Sequence, residues 1–317
     1  MRSFIYFSVL LFGLASCEKG EPEDSPLTGS WKLVENSYFQ GVKERIQSAG
    51  CVYHDTLLFG MGFLSLTQDL IQNDLWLYTE EGWNRLPDFP GQKRIDPLVC
   101  MSQGGVFVTQ GYALPSQAFK DIWRYDLRTG VWDSLPYEFP GQGRTGAISF
   151  ELEGKLYLGA GVSIRKTGML SDMYIFDPQQ GWNSFFTERQ AYSTVFKWEG
   201  EIYCCFGQDE RGYINTFRKF DAQTGQWQTV AKWEDYNGRI DAHAFAIRQG
   251  EREYVYLIGG KPKLPEAYDW CFRYNFQTKR TEKIIFPETM SVKAAFAIHN
   301  TAYIFDGKNV YHLLLPD

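Results

Sequence analysis

The sequence predicts an all-β fold made of six stacked copies of a four-stranded antiparallel unit, and three observations predict it. A tryptophan recurs at Trp83, Trp132, Trp182 and Trp227, at spacings of 49, 50 and 45 residues, a period that marks a repeated supersecondary unit. Each unit opens with a basic residue and continues as two runs in which small or apolar residues alternate with β-branched and aromatic ones, broken by Gly, Asn and Asp turns. Aromatic residues make up 17% of the chain and gather in these short runs. A chain of about 300 residues exceeds one ordinary core unless it is modular.

Residues 1–16 carry one basic residue, an apolar run from Phe4 to Leu14 and small residues before Cys17. That is the pattern of an export signal, too short to remain as a membrane span. Leu14-Ala15-Ser16-Cys17 resembles the lipobox of bacterial lipoproteins. The resemblance implies cleavage before Cys17, acylation of that residue and a lipid-held place on the bacterial cell envelope. The acidic run that follows is similar to the surface-export signal of some Gram-negative lipoproteins, which implies the outer membrane. Residues 17–30 therefore read as the acylated cysteine and a Pro-, Gly- and Ser-containing tether, with the repeats filling 31–317.

Without residues 1–16 the chain holds 31 Lys and Arg against 38 Asp and Glu, a net charge of −7. No basic run interrupts this acidic balance, so nucleic acid is excluded as a partner. Five cysteines remain besides Cys17: Cys51, Cys100, Cys204, Cys205 and Cys271. An odd count without CxxC signals neither a disulfide scaffold nor a zinc site, and buried apolar filler is the expected role. Cys51 and Cys100 fall at equivalent places in adjacent units, and whether they meet is left open by the sequence.

The four-strand units are quotable one by one. First and second strands follow Arg45, Arg94, Arg144, Arg189, Arg239 and Lys293; third and fourth strands run through stretches such as DIWRYDLRTGVWDSL (121–135) and SDMYIFDPQQGWNSF (171–185). A Gly doublet closing the second strand, best seen as Ile258-Gly259-Gly260, and a Trp on the fourth are the residues at which the chain resembles the kelch family of β-propellers. The resemblance covers residues 31 to 315 and implies a six-bladed kelch-type propeller. Units one to three depart from the strict doublet, with Met61-Gly62, Gln110-Gly111 and Ala160-Gly161, and unit five has Thr281 near the Trp position. The sixth unit ends after its third strand, and Trp31 to Val34 reads as the missing fourth, expected to close the ring beside Tyr311.

Long connections join second to third strands and fourth to first strands, so they share one face, and binding is expected there. One cation per unit at the start of each first strand (Arg45, Arg94, Arg144, Arg189, Arg239 and Lys293) would ring the mouth of the channel. Arg suits carboxylate or phosphate, and the competing reading is that each Arg braces its own loop. Residues after the doublets, among them Tyr112 and Lys261, should face the same mouth, Tyr112 offering a stacking face with a hydroxyl. Asp96 and Asp241, two residues past their Arg, are either an acid/base pair across the channel or counter-ions of Arg94 and Arg239.

His54, His243, His299 and His312 do not gather in sequence, and there is no Gly-x-Ser-x-Gly, HExxH or phosphate loop. No cofactor, no metal and a monomeric chain are expected. The leading expectation is an envelope protein that holds an anionic glycan, peptide or protein on its loop face without catalysis. The chain also resembles the exported kelch N-acetylneuraminate epimerases, which implies a sugar-processing enzyme in which Arg holds the carboxylate and an acid/base pair moves protons. A scaffold subunit of an envelope complex is the third expectation.

Overall fold

Successive side chains of a strand point to opposite faces, so a strand that is apolar throughout must be covered on both sides. Strands such as Thr56–Gly60 and Gly105–Thr109 are of this kind and are buried along almost their whole length. In the computed structural model their two faces are covered by neighbouring four-stranded sheets, and the chain is a six-bladed β-propeller with four antiparallel strands per blade. The structure describes residues 27–64, 70–114, 117–165, 168–233, 238–263, 271–287 and 290–316. Cys17 and the signal and tether expected up to residue 26 lie outside the described residues.

Blade 1 is Ala49–Tyr53, Thr56–Gly60, Leu75–Thr79 and Gly82–Arg85, paired in that order from the axis outward. Blades 2, 3 and 4 repeat the meander and begin at Leu98–Ser102, Ile148–Leu152 and Thr194–Trp198. Blade 5 begins with the long strand Arg239–Gln249, and blade 6 with Ala294–Ile298. The first strands stand side by side around the axis.

Each seam between blades is its own small core. Leu57 and Phe59 face Phe296 and Phe305 of blade 6, whereas Leu58 between them faces Val99 and Val106 of blade 2. The repeated tryptophans fill these seams: Trp83 meets Phe305 edge-on at 5.1 Å, and Trp132 meets Phe89 at 5.4 Å. Such pairs add about 0.5–1.5 kcal/mol to the area they bury.

The ring closes as expected. Ser30–Asn36 pairs antiparallel with Asn309–Leu314, Leu33 lying opposite Tyr311. The chain is held still earlier than the expected tether boundary: Leu27–Thr28 adds a parallel strand to the outer edge of blade 5, beside Ile284 and Ile285. At the other terminus the carbonyl of Pro316 accepts from Arg273 Nη1 at 2.6 Å and from Gln249 Nε2 at 3.1 Å, both of blade 5. Both chain ends thus clasp blade 5 to blade 6.

Candidate functional site

The pairs Ala49↔Gly60, Leu98↔Thr109, Ile148↔Gly159, Thr194↔Cys205, His243↔Ile258 and Ala294↔Phe305 put the six blades in register. Four residues ahead of these pairs stand Arg45, Arg94, Arg144, Gln190, Arg239 and Met290. Arg189 is therefore one residue out of register, and Lys293 is three. The cause is local: blade 4 takes its buried guanidinium from the third strand, where Arg218 donates to Gln190 Oε1 at 2.7 Å and to Glu188 at 2.9 Å. Blade 6 fills the place with the apolar Met290, packed against the blade 5–6 core.

The cations expected around the mouth are turned inward. Arg45, Arg94, Arg144 and Arg239 are at most 2% exposed. Arg94 grips Asp121 with both terminal nitrogens, at 2.7 and 2.8 Å, and Arg45 and Arg144 hold Asp74 and Asp172 in the same two-pronged way. Their remaining donors reach the lead-in loop and the residue before each mouth glycine: Arg94 Nε donates to the Gln92 carbonyl and Nη1 to that of Gln110. Arg239 Nη1 likewise reaches the Gly259 carbonyl at 3.0 Å. Burial alone would push the carboxyl of Asp121 up, but two hydrogen bonds and the charge of Arg94, with the Trp123 N–H, hold it below its ordinary value. Asp74 and Asp172 are lowered in the same way. Arg189 is out on the surface, paired with Glu210 at 2.6 Å, and Lys293 lies 3.4 Å from Glu44.

The mouth is made by the position two residues further on. Gln47, Asp96, Gly146, Tyr192 and Asp241 occupy it, with φ between 47° and 59°, a left-handed region that non-glycine residues rarely adopt. Five lead-in segments are held here by short pairings to the residue after each doublet, among them Ile95↔Tyr112, Ala191↔Gln208 and Ile240↔Lys261. The doublets need no second glycine because Met61, Gln110, Ala160 and Phe206 take the left-handed conformation at the first place.

A cavity of about 2000 Å³ runs along the axis, its wall including Gln47, Asp96, Thr145, Tyr192, Asp241 and Lys261. Asp96 is not the counter-ion of Arg94, nor Asp241 that of Arg239. Asp96 Oδ2 instead accepts from the hydroxyl of Thr145, in a very short contact, and from the Gly146 N–H at 3.0 Å, both in blade 3. Asp241 pairs with Lys261 at 2.7 Å. The structure brings the two acids close enough for their charges to interact, with Tyr192 between blades 3 and 5 feeling both. Burial, and secondarily the charge of Asp241, holds the Asp96 carboxyl above its usual range against the pull of Thr145 and Gly146. Burial also pushes the Tyr192 phenol up, a hydrogen bond with Thr145 opposing it. The Lys261 ammonium is raised by its hydrogen bond to Asp241. Tyr112 reaches the rim through a 3.4 Å hydrogen bond to Gln47. His243, in the cavity wall, is lowered by burial to about 4 and is neutral at physiological pH.

Tyr192 and Thr145 were not legible as site residues. Aligning unit four on Arg189 hides that Tyr192 matches Asp96; aligning it on Phe206-Gly207 would have shown it. At the opposite, tight-turn mouth the polar groups are engaged in stapling neighbouring blades: Lys197 to Glu151 at 2.8 Å, Arg248 to Glu199 at 2.9 Å, Asn300 to the Arg248 carbonyl at 2.6 Å and the His299 N–H to Asp55 at 2.7 Å. Among the described residues no group of three His, Cys, Asp or Glu is placed to hold a metal ion.

No protein-family model matches the chain. It is similar to curated N-acetylneuraminate epimerases: 24% identical over 232 residues to that of Escherichia coli O1:K1 / APEC, covering 72% of this chain and 57% of that protein. With the Escherichia coli O157:H7 protein the identity is 24% over 269 residues, 81% of this chain and 67% of that one, and with the Shigella flexneri protein it is 23% over the same length. The matched region thus spans little more than half the length of the first of these relatives. Among solved structures, that of YjhT superposes with a TM-score of 0.65 over 86% of this chain and 95% of its own, at 16% identity. That likeness shows the fold.

Proposed function

We propose that the loop-side mouth binds an acidic sugar of the N-acetylneuraminate type and interconverts its anomers by proton transfer. One observation carries the reading: Asp96, Tyr192 and Asp241, from three blades, line one end of the cavity, burial and the charge of Asp241 raising the Asp96 carboxyl and the Tyr192 phenol, and Lys261 pairs with Asp241 at 2.7 Å. Opening a cyclic hemiketal needs an acid at the ring oxygen and a base at the anomeric hydroxyl. A carboxyl held above its usual range suits the first task, and Asp241, ion-paired with Lys261, stands where the second would be done. Lys261 and Lys293, both on the cavity wall, supply positive charge for the sugar carboxylate.

The relatives bear on the choice between a binder and an enzyme, since their name is that of an epimerase. The test is exchange spectroscopy on N-acetylneuraminate with the purified protein. Transfer of magnetisation between the anomers, lost in Asp241→Asn, supports the enzyme. A thermal shift with the sugar but no added exchange supports a binding protein, a reading favoured by the way both donors to Asp96 are built into blade 3. The lipid anchor at Cys17 and an outer-membrane location belong to the same proposal; they rest on residues 14–17, and metabolic labelling with an alkynyl fatty acid tests them.

A further inference from the structure

We infer that the ring of Tyr192 is a platform on which a pyranose lies flat, seated there by the missing side chain of Gly146. The inference deepens the reading above and rests on it for the choice of a sugar as ligand. At the mouth position the six blades carry Gln47, Asp96, Gly146, Tyr192, Asp241 and Val292, so the one glycine and the one aromatic residue stand in adjacent blades. A Cβ on Gly146 would lie 2.6 Å from Cε1 of the Tyr192 ring and 2.7 Å from both of its neighbours, Cδ1 and Cζ. Near-equal distances to three consecutive ring carbons belong to a point over the face of the ring, since an approach to the edge leaves the flanking carbons well behind. The phenol ring therefore lies face-down on the backbone of Gly146, in the space a side chain would fill.

The platform is held at three points. The Tyr192 N–H donates to the Gly146 carbonyl at 2.8 Å, and Ala191 before it pairs with Gln208. After it, the Ser193 hydroxyl donates to the buried Gln190 at 3.1 Å. These contacts hold the left-handed φ of 55° at Tyr192. Tyr192 is half-buried and lies on the cavity wall, so the face that Gly146 does not cover is turned to the cavity. A ring ordered before the ligand arrives loses little freedom on binding. Tyr112, the stacking residue expected from the sequence, is engaged elsewhere: its ring packs with Phe63, Ile71 and Ile95, and its hydroxyl reaches Gln47.

The class of ligand follows from what surrounds the platform. A pyranose presents a face of C–H bonds, which packs on an aromatic ring, and a perimeter of hydroxyls, which needs polar partners. Tyr192 offers the first. Asp96, bonded to the Gly146 N–H, and the Asp241–Lys261 pair of blade 5 offer the second. The charges of both acids reach the phenol, so both flank the platform. Stacking of this kind selects a closed ring over an open chain and does not depend on the charge of the ligand, which falls to the lysines.

The test is ligand-observed proton NMR of N-acetylneuraminate and, as an uncharged probe, methyl β-glucopyranoside, titrated with the purified protein. Protons held over an aromatic face are shielded, so the ring C–H signals of both sugars are expected to move upfield on binding. Tyr192→Phe keeps the face and is expected to keep both shift and affinity. Tyr192→Leu removes it and is expected to abolish the shift and to raise Kd about tenfold. Gly146→Ala is expected to lose the shift as well, because the ring can no longer lie where it does. Binding of either sugar without an upfield shift overturns the platform and leaves the acidic-sugar reading standing. A Leu variant that binds as tightly as the parent does the same, and so does a Phe variant as weak as the Leu one, which would place the phenol hydroxyl rather than the ring on the sugar. An upfield shift with the uncharged probe and no binding of N-acetylneuraminate keeps the platform and overturns the acidic-sugar reading instead. Binding of neither sugar overturns both. Should Tyr192→Leu fail to fold, the shift in the parent protein and the Phe variant decide.

Discussion

Trp31 lies stacked on Phe286, ring centres 5.1 Å apart, and this contact joins the fourth strand of blade 6 to the end of the fourth strand of blade 5. Gly29 makes it possible, since a Cβ there would stand 2.6 Å from the Phe286 ring. The amino terminus therefore closes the ring twice, by pairing with Asn309–Leu314 and by packing across the seam. Trp31→Ala removes a large, partly buried aromatic from the seam between blades 5 and 6, beside the strand pair that closes the ring, and a loss of about 3 kcal/mol is expected. Urea unfolding measures it; a loss under about 1 kcal/mol would mean that the strand pairing alone closes the ring.

The buried guanidinia predict an outcome opposite to that of a ligand-binding ring. Arg94→Ala leaves Asp121 facing a desolvated space without its cation, and breaking such a pair costs about 3–5 kcal/mol. Arg94→Lys is expected to recover only part of that, because an ammonium cannot grip both carboxylate oxygens. Melting curves of the two variants, read beside sugar binding, check this. A variant of unchanged stability that no longer binds sugar would place the guanidinium in the site.

The same pairs set an acid limit. Asp74, Asp121 and Asp172 are each held below 3.8 in the folded chain by their arginines, burial notwithstanding. A carboxyl with a depressed folded pKa contributes stability that is present above its unfolded value and drains away as pH falls through the folded one. Stability is therefore expected to fall from about pH 4 downward, and less steeply in Asp121→Asn, which is already weakened at neutral pH. Circular dichroism across an acid titration checks both slope and order.

The architecture was legible because period, alternation and turn chemistry act locally and repeat six times. Ring closure was legible too, since Trp31 to Val34 stood as a fourth strand without a blade. The site was legible only in part. Counting from the arginines and the doublets leads to Asp96, Asp241 and Lys261, which share the cavity wall, and to Tyr112, which is hydrogen-bonded to Gln47 of that wall. What the arginines do was not legible, because a repeated Arg looks alike whether it faces solvent or grips an Asp; the signal available was Asp74, Asp121 and Asp172, each two residues before a Trp or Tyr that also donates to it. Tyr192 was missed because blade 4 moves its buried cation to Arg218, so counting from Arg189 gives the wrong register.

The cysteines predict a chemical silence. Cys204, Cys205 and Cys271 are at most 1% exposed, and all five described cysteines are free. Burial pushes the Cys51 thiol up to about 12, although it lies on the cavity wall, so at pH 8 only about one molecule in ten thousand carries the thiolate. Brief treatment with iodoacetamide is expected to leave these five unmodified in native protein and to label all five after unfolding without reductant. Intact mass counts them. A pair that needs reductant before it reacts would reveal a bridge, with Cys51 and Cys100 first to be examined.

Gly146 and Gly104 separate backbone strain from the shape of the mouth. Both have left-handed backbones, with φ of 59° and 75°, so an alanine at either place costs about 1–2 kcal/mol for its conformation. Around Gly104, in the tight turn of blade 2, a Cβ meets nothing within 4 Å; on Gly146 it meets the Tyr192 ring at 2.6 Å. Gly104→Ala is therefore expected to lower the melting temperature slightly while the stabilisation by acidic sugar is unchanged. Gly146→Ala should cost more and should displace the Tyr192 ring from its place at the mouth, abolishing that stabilisation. Thermal melting of the two variants with and without N-acetylneuraminate makes the comparison. Equal behaviour of the two would show that Tyr192 yields without consequence and that the mouth does not depend on where its ring sits.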